Sequence, residues 1–134
     1  MTIDDTSTNW LMLAARVCIA AVFLVSGLHK GIWFQKAAFE FRQAGIPLVG
    51  LALPGTIVLH VLAAVCLIIG FMTREAALAL ALFTVVATLK VHAYWRLPRD
   101  EQLGRSRITT ANIAIVGGLL LLAAVGPGAF SVAN

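Results

Sequence analysis

Residues 17–30 read VCIAAVFLVSGLHK: twelve uncharged residues, preceded by Arg16 and closed by His29 and Lys30. A membrane helix needs about 20 mostly apolar residues to cross a hydrocarbon core of roughly 30 Å. Residues 10–28 reach that length only if Arg16 is accepted inside the span. An arginine at such a depth costs about 2.5–3.5 kcal/mol on insertion scales, less if it snorkels, so something must offset it. At 100° per residue, Arg16, Phe23, Gly27 and Lys30 fall within roughly 40° of one line. One face therefore carries a cation at each end.

The rest of the composition agrees with a membrane reading. Of 134 residues, 60% are hydrophobic and 12% charged, where a soluble domain carries about 25% charged. A soluble fold of this size could not hide that much apolar surface, and the length suits one domain over 1–134. The net charge of +4 comes from basic residues that sit mostly between apolar runs, which reads as topology and headgroup contact rather than nucleic-acid binding. The acidic flank at Asp4 and Asp5, and the lack of a small-x-small site after the first run, predict that this run stays in the membrane uncleaved.

Working outward, apolar runs predict helices at about 10–28, 51–72, 76–95 and 108–125, with residues 1–9 polar and frayed. The expected fold is all-α, a bundle of four transmembrane helices. Between the first two, Phe34, Ala37, Ala38 and Phe41 follow an i, i+3, i+4, i+7 pattern ended by Gly45 and Pro47. That pattern predicts a short amphipathic helix lying in the interface, as a connector or a lid. The short turn around Thr73 makes the second and third helices antiparallel neighbours. Residues 96–107, RLPRDEQLGRSR, read as a water-exposed loop. Basic residues concentrate in the connections 29–50 and 96–107, which the positive-inside rule places in the cytoplasm, with both termini outside.

Costly polar residues in the apolar runs are the candidates for function. Arg16 has no acidic partner in any run, so it must reach carbonyls, hydroxyls, headgroups, the acidic tail or a ligand. On the ligand reading, Arg16→Leu leaves insertion intact and abolishes activity or ligand binding. His60 lies mid-membrane on the side of Ala63 and Ala64, and faces protein whether it serves a site or merely donates to a carbonyl or threonine hydroxyl. His92, Asn112 and Lys30 lie toward the cytoplasmic ends, where they read as site residues or as interface pairing, interhelical glue and a snorkelling anchor respectively. Ala77, Ala81, Thr84 and Thr88 form a small, weakly polar stripe. Cys18 and Cys66 fall at comparable depth on antiparallel helices, so they are buried thiols by default or, if they face each other, a redox pair. There is no metal-ligand spacing, no encoded cofactor motif and no assignable catalytic residue.

The segments RVCIAAVFLVSGLHK, AGIPL, IIGFMTREAALALALF, VHAYW and ANIAIVGGLLLLAAVGPGAFS together resemble the DoxX family of small bacterial membrane proteins. The resemblance implies a four-helix protein of the bacterial inner membrane. It also implies an association with redox chemistry, since the family is named for a subunit of a thiosulfate:quinone oxidoreductase. Arg16, Ser26, Gly27 and Lys30 match its first-helix pattern, and His92, Trp95 and Asn112 match the ends of the third and fourth helices. Where relatives commonly carry a second-helix glutamate, this chain has His60.

Three functions stay open from sequence. One is a subunit or accessory protein of a redox system, an oxidoreductase subunit if an enzyme at all, holding a small carbonyl-bearing molecule such as a quinone. There Arg16 and His60 polarise or protonate the ligand and His92 links it to the cytoplasmic side. The second is a permeation or transport protein using the same polar line, and the third a structural or assembly factor. Expected partners are lipid, further copies of the chain or the other subunits of a complex, and a small-molecule ligand.

Overall fold

A computed structural model of the chain describes residues 4–90 and 98–132. Among the described residues there are five helices and no strands: α1 Asp5–Ile32, α2 Phe34–Gln43, α3 Val49–Ile69, α4 Thr73–Lys90 and α5 Arg99–Val125. α1, α3 and α5 are long and apolar enough to cross a membrane. α1, with 28 residues, is about 42 Å long at 1.5 Å per residue, so its ends project beyond a bilayer core. The described part of α4 has Arg74 and Glu75 in its first turn and Lys90 as its last residue.

Both polar helix starts begin earlier than their composition suggests. The N-terminal stretch is not frayed from residue 5 onward, because Asp4 caps α1: its carboxylate accepts from the Ser7 N–H at 2.7 Å. That bond holds the Asp4 carboxyl below its ordinary 3.8. A carboxylate with a lowered pKa stabilises above its unfolded value and ceases to do so as it protonates. The first turn of α1 is therefore expected to loosen as pH falls below 3.8, and the protection of the Ser7 and Thr8 amides, measured against the intrinsic exchange rate at each pH, should then fall. Protection factors at Ser7 that do not change on acidification would show that the cap is not what holds the turn.

Likewise, residues 99–107 are not loop. They form the first turns of α5, with Asp100 and Glu101 in the opening turn, where acidic side chains complement the exposed N–H groups.

Breaks in the helical backbone set the corners. α1 breaks at Trp33 (φ −103°, ψ 54°), and α2 buries Ala37, Ala38 and Phe41 against Leu53 of α3. This is the amphipathic segment that the spacing predicts. α3 ends on Gly70 in the left-handed region (φ 77°), three residues before α4 begins. Such a turn forces α3 and α4 to run antiparallel.

The long helices pack α1 on α3, α3 on α4 and α4 on α5, with a lighter α1–α5 contact, while the backbones of α1 and α4 stay apart among the described residues. Lipid is as apolar as leucine, so helices in it associate through close packing rather than water exclusion. Small side chains supply that closeness here: Ala20, Ala63, Ala64, Ala77 and Ala81 are buried. A Cβ on Gly27 would lie 3.0 Å from the His60 Cβ and 3.2 Å from Val61, so only glycine lets α1 and α3 approach this far. Val25, Leu62, Leu82 and Leu121 face outward, the inside-out pattern a bilayer requires.

Candidate functional site

Arg16 is fully buried at the closed end of the protein. Its Nη1 donates to Leu67 O at 2.9 Å and Ile68 O at 3.2 Å, carbonyls of the last turn of α3, and its Nη2 donates to Phe130 O. A cation at a helix C-terminus meets the negative end of the helix dipole, so the guanidinium is neutralised by carbonyls rather than by an acid. The acceptor from Phe130 exists because residues 126–132 fold back over the bundle. Val132 N–H bonds Ile69 O at 3.0 Å, the Trp10 and Phe130 rings meet at 4.9 Å, and Pro127 is buried. The sequence showed Gly126, Pro127 and Gly128 only as a helix stop.

At the other end, between α1 and α4, lies a cavity of about 430 Å³, within the roughly 300–1,000 Å³ of small-molecule sites. It is the gap left where those two helices fail to meet. Its walls are mainly apolar, with Phe23, Phe83, Val22 and Val86 among them. Lys30, Glu40 and Lys90 stand where α2 and the 45–47 turn border it. Lys30 Nζ donates to Ser26 Oγ at 2.6 Å, and Asn112 Nδ2 donates to Thr88 Oγ1 at 2.9 Å across α5 and α4.

His60 lies deep in this cavity, 3% exposed. Its ring stands edge-on to Phe83 at 4.6 Å and to Phe23 at 5.4 Å. Neither ring nitrogen has a hydrogen-bond partner among the described residues. A buried polar atom left unsatisfied costs about 1–3 kcal/mol, and here two share one ring in a space large enough for a guest.

The DoxX family model matches residues 11–93, which span α1 to the end of the described part of α4. The chain belongs to the DoxX family. Among this DoxX protein's relatives, inner membrane protein YphA of Escherichia coli K12 is 33% identical, over 90% of this chain and 86% of its own. Inner membrane protein YqjF of the same organism is 31% identical, over 90% and 88%. The ER-derived vesicles protein ERV29 of Saccharomyces cerevisiae is 25% identical, over 96% of this chain but 34% of its own length. No solved structure matches. This DoxX protein is thus a multi-pass membrane protein with inner-membrane relatives.

The sequence-derived candidates divide in the DoxX fold. Lys30, His60 and Asn112 line one cavity, whereas Arg16 does not border it. His92 and Trp95 lie outside the described residues. Cys18 is exposed rather than buried as its default reading had it, because its side of α1 has no helix packed on it, and Cys66 is half-buried beside the core; both are free thiols. Thr56 and Phe83 were missed. Thr56 carries the one legible signal, standing four residues before His60 and hence on its face.

Proposed function

We propose that this DoxX protein crosses the bilayer four times, with α4 as the further crossing, α2 in the cytoplasmic interface and both termini outside. In this reading it serves a redox system as a membrane subunit or accessory protein, and its cavity binds a small amphipathic molecule of the quinone type. The observation that carries the reading is His60: a buried imidazole without partners, walled by two aromatic rings in a space of ligand size. An apolar body would fill the Phe23 and Phe83 region while a polar head meets the imidazole. The inner-membrane relatives and the redox setting implied by the family resemblance support quinone chemistry in particular.

Binding is favoured over permeation by what lies beyond His60. Ala20, Leu67 and Leu80 pack there with 0% exposure, and Arg16 with its carbonyl ligands follows. The polar line is interrupted by apolar packing.

The test is a melting-temperature measurement on the detergent-purified chain with short-chain quinones, which stabilise by mass action if they bind the folded state. His60→Phe keeps a flat ring in place and removes both nitrogens. It is expected to weaken binding about 10- to 100-fold, the value of one or two buried hydrogen bonds. No stabilisation of the wild type, or equal stabilisation of His60→Phe, removes the reading.

A further inference from the structure

The cavity around His60 holds more positive charge than its walls balance. Lys30 gives one of its three N–H groups to Ser26 Oγ, at 2.6 Å. That bond draws the ammonium one turn back along α1, to the residue beside Gly27, whose backbone abuts His60. There it acts electrostatically on the imidazole, and two N–H groups remain for a guest. Ser26 accepts from Lys30 and keeps its own O–H, while Asn112 keeps its second amide N–H after bonding Thr88. Glu40 is the one acid among the described lining residues, and it acts on Lys30 through space without an ion pair. Against it stand Lys90 in the same wall and Lys36 in the adjoining recess, which shares Ser26, Lys30 and Glu40 with the cavity. A cation beside so apolar a space is costly without a partner, and the described residues leave that place to a ligand.

We propose that the cavity takes its ring ligand as an anion: a hydroxyquinone, or another ring acid ionised at neutral pH, in preference to the neutral quinone. The proposal rests on the quinone-type reading above and names the charge of the guest. The enolate of a hydroxyquinone spreads its negative charge over two oxygens, so one can meet the Lys30 ammonium while the other accepts from the His60 N–H. A neutral ring offers the same cation only a carbonyl dipole. Hydrogen bonds that involve an ionised group are roughly twice as strong as neutral ones, and the Phe23 and Phe83 rings still hold the apolar body. Those aromatic walls are why a ring, rather than the acid head of a lipid chain, is the guest named.

The experiment compares two rings on the full-length chain in non-ionic detergent at neutral pH: 2-hydroxy-3-methyl-1,4-naphthoquinone, whose enol is ionised there, and the neutral 2,3-dimethyl-1,4-naphthoquinone. Both have the ring positions next to the carbonyls filled, which keeps the free thiols of Cys18 and Cys66 from adding to them. Affinities come from the concentration dependence of the melting temperature. The enolate is expected to bind at least about tenfold tighter than the dimethyl ring. Lys30→Met keeps an unbranched side chain and removes the charge, and should abolish that difference, whereas Glu40→Gln removes the opposing charge and should widen it. Partitioning into micelles is common to wild type and variants and cancels in these comparisons. Equal or tighter binding of the dimethyl ring overturns the proposal while leaving the quinone-type site standing. A preference that survives in a well-folded Lys30→Met protein, or that narrows in Glu40→Gln, overturns it too. Decanoate carries the charge without the ring; if it matches the enolate and loses its effect in Lys30→Met, the cation serves membrane acids and the ring anion is overturned. If neither ring stabilises the protein, the ligand site itself is refuted and the proposal with it.

Discussion

Arg16→Leu is expected to lower the melting temperature by roughly 10 °C while leaving the ligand-induced shift of the surviving folded protein intact. The guanidinium makes three bonds to carbonyls that have no other use for the space it fills. Hydrogen bonds to a charged group contribute about 1.5–3 kcal/mol each, less when shared, and a domain of this size moves by a few degrees per kcal/mol. Leucine leaves the last carbonyls of α3 facing apolar atoms and frees the 126–132 segment. On the ligand reading of the sequence, insertion is kept and activity or ligand binding is abolished. Its position outside the cavity is why binding is expected to survive here. A folded Arg16→Leu protein with wild-type melting would show the clamp to be idle, and one that melts low and also fails to bind ligand when folded would tie Arg16 to the site.

Gly70→Ala is expected to be about as damaging, by a different route. Gly70 has φ +77°, and a Cβ there would lie 2.4 Å from the Ser131 Cβ and 2.7 Å from Arg16 Nη1. The left-handed conformation alone costs a non-glycine residue about 1–2 kcal/mol. The overlap must in addition displace the folded-back segment or the guanidinium. Gly45→Ala is the matched control, since Gly45 has φ +76° with nothing within 4 Å of its added Cβ. Melting of the two variants should differ by several degrees, and equal melting would mean that the contact yields freely. Because both changes release the same segment, Arg16→Leu and Gly70→Ala should be clearly less than additive when combined.

These two positions illustrate what a linear reading can and cannot reach. The face of α1 that carries Arg16, Phe23 and Gly27 was legible, since helical spacing alone aligns them, and all three are buried. So was the amphipathic pattern of Phe34, Ala37, Ala38 and Phe41, because amphipathicity is a local property. The helical start at Arg99 was not, because its charges resemble a loop until their order, acids first, is weighed against the helix dipole. The acceptor at Phe130 was invisible, since any residue supplies a backbone carbonyl and only the fold-back of 126–132 selects this one. The cavity was equally hidden, because a gap between α1 and α4 is a property of how the helices fail to meet rather than of either helix.

By itself, then, the sequence determined the solvent and the class: enough apolar length and too few charges for water, helical periods throughout, and polar residues turned to one face. Tertiary structure alone decided which of those polar residues lie together. It placed Lys30, His60 and Asn112 around one cavity and sent Arg16 to the carbonyls at the opposite end. The physical reason is that burial energy depends on residue type and can be summed along a chain, whereas hydrogen-bond satisfaction depends on which atoms arrive within about 3 Å of one another.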